Sequence, residues 1–311
     1  MILQALYEFY QRKANDPESN IAPEGFQEQE IKFVIVINEN GQFDDLNDMR
    51  DEKGKGKLYL LPKARNRSGK NAWMTAFLLW DHYGYVLCHP KEKDEESIKM
   101  AKNQYKTFID QINNLPPSIK EDKGINAILR FYEQGKADEV KKHPRWQDCA
   151  KIPGCNLTFR LTGETQLIPE REVVVQFQKL LLSQPENTNE NTENIGRCLI
   201  TGEREFIARL HTPTFIQGGK SSARLVAFQK SSGYDSYGKE QGFNAPISVR
   251  AESAYTTALK HLLASKTNKQ TISDATIIFW AEKRIDEKTF NLENNFAWYI
   301  ADKTDDPDLG V

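Results

Sequence analysis

The sequence predicts an α+β protein: an N-terminal domain with a mixed or antiparallel sheet and a helical insert, then a second β-rich region. Three observations predict it. Runs such as IKFVIVIN at 31–38 and NLTFRL at 156–161 are β-branched and apolar, the composition of strands. EESIKMAKNQYKTFIDQINNL at 95–115 places Ile98, Tyr105, Phe108, Ile109 and Ile112 on one side of a helix. SQPENTNENTENIG at 183–196 is too poor in apolar residues to offset the entropy of ordering, and so divides the chain.

In chain order, MILQALYEFYQRKA is an amphipathic helix, with Ile2, Leu6, Phe9 and Lys13 at three- and four-residue spacing and Leu3 and Tyr10 beside them. The strand at 31–38 ends at Asn40-Gly41, a hairpin-turn signal, and QFDDL at 42–46 is its partner. KLYLLP at 57–62 is a short strand stopped by Pro62. AWMTAFLLW at 72–80 is apolar enough for a buried helix or a strand, and GYVLC at 84–88 reads as a strand. The long helix ends at Pro116-Pro117, and GINAILRFYEQG is a second helix closed by Gly135. After NLTFRL, REVVVQFQKLLLS is helical. Beyond the polar stretch, RCLIT, FIARL and ARLVAFQ are three strands, SAYTTALKHLLA a helix and ATIIFWAE a buried strand. The expected organisation is an N-terminal region at 1–182 with a basic loop at 53–70 and a helical insert at 92–135, a mobile loop at 183–196, and a β-rich region at 197–311 with a glycine-tyrosine loop at 229–248.

The 311 residues, 39% hydrophobic and 28% charged, describe a globular chain long enough to bury a core without a disulfide or metal. No apolar run reaches the roughly 20 residues of a spanning helix, and the N-terminus lacks secretory-signal features, so no membrane partner and a cytoplasmic location are expected. Cys88, Cys149, Cys155 and Cys198 match neither a disulfide framework nor paired zinc knuckles, and Cys198 with His211 alone is a weak metal signal. No cofactor or metal is expected.

A net charge of −2 does not settle the question of polyanions, because phosphate responds to charge within a Debye length of ~8 Å. KGKGKLYLLPKARNRSGK carries Lys53, Lys55, Lys57, Lys63, Arg65, Arg67 and Lys70 with no acidic residue; Ser68 and Asn71 adjoin them. The alternating glycines suit backbone contact better than base selection. The same stretch also reads as a solvated loop. Between 229 and 244, Lys230, Tyr234, Tyr237, Lys239 and Phe243 interleave cations with rings, the combination that holds phosphates and stacks bases. Gln229, Gln241 and Asn244 add side chains that both donate and accept, and the glycines allow close approach. A glycine-rich connection with its tyrosines packed beneath it is the equally open alternative. Nucleophile-elbow, phosphate-loop and zinc-protease motifs are missing, so the sequence gives no positive reason for an enzyme. The alternative is a metal-dependent nuclease using Asp44, Asp45 and Asp48, against which stands the solvated-turn reading of GQFDDLNDMRDE.

Several long strings in order, MILQALYEFYQRK, IKFVIVINENGQF, LPKARNRSGKNA, NLTFRLTGE, GRCLITGEREFIARLH, SSARLVAFQKSSGYDSYGKEQGFNAPIS, AYTTALKHLLA and IIFWAE, closely resemble the large-subunit family of the type I-C CRISPR surveillance complex, Cascade. The resemblance runs from residue 1 to about 282. It implies a non-catalytic DNA-binding subunit at the crRNA 5′ end that recognises the protospacer-adjacent motif in double-stranded DNA, helps open the duplex and recruits the helicase-nuclease in antiviral defence. Other Cascade subunits and viral anti-CRISPR proteins are the further implied partners. Lys63, Arg65, Arg67 and Lys70 would hold the duplex backbone, and Asn71 with the amides and tyrosines of 229–244 would read the motif, wedge the duplex or meet the displaced strand. Lys55 and Lys57 extend the basic set. The family's C-terminal helical bundle, which resembles the small subunit, is expected to be absent here.

Overall fold

Gly25–Gln184 folds around a strand whose every residue is buried. The computed structural model describes residues 1–16, 19–63, 67, 71–183, 195–214, 216, 218–220, 222–229, 233, 238–273 and 275–281. These form a mixed α+β fold of small sheets and helices in two units, Gly25–Gln184 and a second made of Met1–Glu24 with Pro185–Val311. The division after Gln184 falls at the start of the polar stretch, of which 184–194 lie outside the described residues. Residues 1–24 group with the C-terminal residues in this division.

In the Gly25–Gln184 unit, β1 (Phe26–Ile31) pairs antiparallel with β4 (Lys57–Pro62), Phe26 opposite Pro62 and Ile31 opposite Lys57. A separate four-stranded sheet has the order β3-β2-β6-β5, from β2 (Phe33–Ile37), β3 (Phe43–Asp48), β5 (Trp80–His82) and β6 (Asn156–Leu161). β2 runs antiparallel to β3 and parallel to β6. Phe33, Ile35 and Ile37 enter a core with Phe108, Ile128, Phe131 and Trp146, while Val34 joins Ile31, Tyr59, Leu61 and Trp80 on the other side. Coverage on both faces explains why FVIVI is apolar without alternation.

The helices of this unit are α2 (Tyr83–Leu87), α3 (Glu95–Asn113), α4 (Pro117–Lys120), α5 (Lys123–Glu133), α6 (Ala137–Val140), α7 (Trp146–Ala150) and α8 (Glu172–Ser183). Asp94 and Asp122 cap α3 and α5: Asp94 accepts from the Ser97 amide, Asp122 from those of Gly124 and Ile125. The Asn40-Gly41 turn lies hard against α5. A Cβ on Gly41, at φ +76°, would sit 2.6 Å from the Phe131 amide nitrogen.

Three local expectations change. The single strand over 31–38 breaks at Lys32 into β1 and β2, the first a largely polar FQEQEI that periodicity does not flag. AWMTAFLLW resolves into a 3-10 turn at Ala72–Met74 followed by β5. GYVLC is helical: His82 Nδ1 accepts from the Gly84 amide at the start, and Cys88 at φ +53° ends the helix. An apolar run buried on all sides carries no period with which to distinguish helix from strand.

In the other unit, α1 (Ile2–Ala14) packs on α9 (Val249–Ala264). Leu3, Leu6, Phe9 and Tyr10 meet a face of α9 containing Ala251, Ala254, Tyr255, Ala258 and Leu262, where the alanines allow close approach. Tyr10 donates from its hydroxyl to the Ala22 carbonyl at 3.1 Å, and Arg250 pairs with Glu24 at 2.8 Å. The described strands are two hairpins, β7 (Ile195–Arg197) with β8 (Arg204–Phe206) and β9 (Lys269–Ile272) with β10 (Ala275–Ile278). Helices, not these hairpins, form most of the core. ARLVAFQ at 223–229 has no regular secondary structure. No described helix is long and apolar enough to cross a membrane.

Candidate nucleic-acid interface

The two segments singled out by composition fall in different units. In the first, Asp51 organises the KGKGK turn: its Oδ1 accepts from the amides of Lys53 at 2.9 Å and Lys55 at 2.8 Å, and its own amide donates to the Lys55 carbonyl at 2.8 Å. Gly54 takes φ +77°, and the Gly56 amide donates to Glu30 Oε1 at 2.7 Å. The lysine-glycine alternation therefore encodes a defined turn rather than a loose one, and Lys53, Lys55 and Lys57 project from it exposed. Lys57 Nζ lies 5.2 Å from the centre of the Tyr59 ring. The fold also brings in carboxylates that the local sequence hides. Glu28 and Glu30 on β1 face Leu60 and Leu58 of β4, and Asp51 sits inside the turn, so the cationic field is diluted.

Arg67 is engaged within the unit. Its guanidinium forms a two-pronged ion pair with Asp81, which has no exposed surface; its Nη1 donates to Asp81 Oδ1 at 2.9 Å and its Nε to the Thr75 carbonyl at 2.6 Å. The guanidinium carbon lies 3.6 Å from the Phe77 ring centre and 4.1 Å from that of Tyr85. Asp81 also accepts from the Phe77 amide at 3.0 Å and the His82 amide at 2.8 Å. This geometry makes Arg67 the pin of the segment. The Lys63 amide donates to the Gly25 carbonyl at 2.7 Å, and exposed Asn71 caps the 3-10 turn. Arg65, Ser68 and Lys70 lie outside the described residues.

In the second unit, three segments enclose a cavity of about 670 Å³: Arg209–His211, Ser222–Gln229 with Leu225 and Ala223 set back, and Gln241-Gly242. Gly242 makes the closure possible. Its amide donates to the Arg209 carbonyl at 3.0 Å, and a Cβ there would lie 2.3 Å from the Ala208 carbonyl oxygen. The Thr214 amide donates to the Ala223 carbonyl at 2.8 Å, tying the first segment to the second. Arg224 donates from Nε to the His211 carbonyl at 2.6 Å and from Nη1 to the Ser222 carbonyl at 3.2 Å, which fixes its guanidinium plane. Arg209 Nη1 donates to Gln241 Oε1. Asn244 Nδ2 donates to the carbonyls of Lys239 and Gln241, both at 3.1 Å, so this predicted reader shapes the loop.

His211, a buried lining residue, shares a hydrogen bond through Nδ1 with the Tyr255 hydroxyl, and Glu252 accepts from the Thr212 amide at 2.7 Å. Burial, followed by the Glu252 charge, raises the Tyr255 pKa well above the ordinary phenol range and keeps the hydroxyl neutral. The described residues that line the cavity supply two guanidinium groups, two amides, the His211 imidazole, the Ser222 hydroxyl, the Phe228 ring and no carboxylate. Of the sequence candidates, Gln229 and Gln241 meet here, and exposed Lys239 stands three residues from Gly242. Lys230, Tyr234 and Tyr237 lie outside the described residues. Arg209, Arg224 and Phe228 were hidden because they sit in FIARL and ARLVAFQ, which read as ordinary strands.

The carboxylates of the nuclease alternative are dispersed among other partners. Asp44 accepts from Thr162; Asp45 binds Arg145 at 3.1 Å, His143 at 3.0 Å and Asn47 at 2.6 Å; Asp48 pairs with Arg50 at 2.6 Å. Among the described residues no group of three or more His, Cys, Asp or Glu could hold a metal ion. Cys198 Sγ accepts from the amides of Ile200 at 3.4 Å and Ser248 at 3.3 Å, and so serves the start of α9.

No curated protein matches this chain. The family model described as CRISPR-associated protein (Cas_Csd1) matches residues 6–309, and the chain belongs to that family.

Proposed function

We propose that this chain is the DNA-binding large subunit of a crRNA-guided type I-C Cascade, a non-catalytic component that works with other Cas proteins. In this reading it recognises the protospacer-adjacent motif in double-stranded DNA, aids duplex opening beside the crRNA 5′ end, and recruits the helicase-nuclease. Family membership supports the CRISPR setting. The observation that carries the DNA reading is the cavity with Arg209 and Arg224 and no carboxylate among its described lining residues, formed in part by the segment whose composition already pointed to nucleic acid. Exposed Lys53, Lys55 and Lys57 add sequence-independent phosphate contacts. The test is duplex binding by the full chain across a salt series. Each phosphate contact contributes about 0.9 to the slope of log K against log salt. Replacing all three lysines by glutamate is expected to weaken binding at every sequence and flatten that slope by about 2–3. Unchanged affinity and slope, or no binding by the parent protein, would overturn the reading.

A further inference from the structure

We infer that the cavity bounded by Arg209, Arg224, Phe228 and Gln241 receives one nucleotide unit, a base with its phosphate, that is not paired to a partner strand. This rests on the DNA-binding reading and names the ligand of one part of it. Size comes first. A half-open cavity of about 670 Å³ falls in the size range of pockets that hold a single small ligand.

Charge comes second. Two guanidinium groups, with no carboxylate among the described lining residues, select an anion, and arginine matches the planar, two-point geometry of a phosphate. Arg224 is already oriented by the carbonyls of His211 and Ser222, so a ligand meets a fixed fork rather than a flexible side chain. The third element is the combination of Phe228, a half-buried ring, with Gln229 and Gln241, whose amides carry both donor and acceptor groups. A ring under the base and amides at its edge become useful only when the base has left its stack, because a paired base offers neither face nor Watson–Crick edge. A simple anion would need no ring or amides, and an apolar ligand would need no arginines.

Two sources could supply such a unit: an extruded residue within a strand, or a free mononucleotide. The experiment uses the full chain and three probes: a duplex with one bulged 2-aminopurine, the same duplex fully paired, and dAMP as competitor. The expected result is at least tenfold tighter binding of the bulged duplex, with a change in 2-aminopurine emission on binding. Phe228→Leu, which keeps an apolar side chain, and Phe228→Ala should each remove that tenfold preference and the 2-aminopurine emission change. Displacement of the bulged base by dAMP identifies the free nucleotide as an equal ligand; resistance to millimolar dAMP identifies the strand residue. Equal affinity for bulged and paired duplexes without dAMP binding overturns the inference, even if the lysine-dependent duplex binding stands. Conversely, binding of the bulged base or dAMP with no duplex binding keeps this pocket assignment and removes the duplex-recognition role.

Discussion

Replacing Arg67 by methionine separates a structural role from a DNA-contacting one. The substitution keeps an unbranched chain but removes the partner of Asp81, a carboxylate with no exposed surface. Asp81 would retain two amide donors, Phe77 at 3.0 Å and His82 at 2.8 Å, which do not neutralise its charge. Breaking a buried ion pair from one side costs about 3–5 kcal/mol, and loss of the stacking between Phe77 and Tyr85 lies within the upper part of that range. With a urea m-value of about 2 kcal/mol per molar, a loss of about 4 kcal/mol lowers the midpoint by about 2 M. Urea unfolding followed by tryptophan fluorescence reads this, since Trp80 is buried in the same unit and donates to the Pro62 carbonyl at 2.9 Å. Hydrogen exchange at the Phe77 and His82 amides localises it. Adding Asp81→Asn should recover part of the loss, because the double variant buries no lone charge. A loss below about 1 kcal/mol combined with abolished DNA binding would refute the structural assignment.

Acidification should weaken the Gly25–Gln184 unit. Burial, partly opposed by Asp81 and assisted by Arg67, holds His82 below its ordinary pKa of 6.5, and burial with Lys141 does the same for His89. The unfolded chain then takes up protons first as pH falls below 6.5, so stability is full above that pH and declines beneath it, by up to about 1.4 kcal/mol per pH unit for each histidine. Equal urea midpoints at pH 7.5 and 5.5 would contradict this. Gly242→Ala, whose Cβ would meet the Ala208 carbonyl at 2.3 Å, is expected to cost about 1–3 kcal/mol and to raise hydrogen exchange at residue 242. Asp122→Ala should cost about 1–2 kcal/mol and expose the amides of Gly124 and Ile125 to exchange; unchanged protection would remove Asp122 as the cap of α5.

The elements with local signals are legible. Helices α1, α3, α5 and α9 follow apolar spacing, and strands β2, β3, β4 and β6 follow β-branched or apolar runs bounded by turn glycines and prolines. The segment 72–88 is ambiguous, because Leu78–Trp80 and Tyr83–Leu87 are buried and apolar whatever their backbone does. For the candidate site, the sequence pointed to 229–244 through its rings, amides and glycines, and Gln229 and Gln241 do line the cavity. It could not pair them with Arg209, which tertiary folding brings in from another segment, and Arg224, five residues before Gln229, sits in a run that reads as a strand. Arg67 shows the complementary difficulty: its charge is visible in a basic run, but Asp81, which occupies it, lies fourteen residues away on β5.

The division of the chain has a consequence for biosynthesis. α1 leaves the ribosome well before α9, yet the alanine-rich face that covers Leu6 and Phe9 belongs to α9, more than two hundred residues later. At ordinary elongation rates the amphipathic start waits roughly 10–50 s for its companion, while Gly25–Gln184 can complete its own core in the interval. Nascent chains halted before residue 249 should therefore display the greasy face of α1 to chaperones, and release past α9 should hide it.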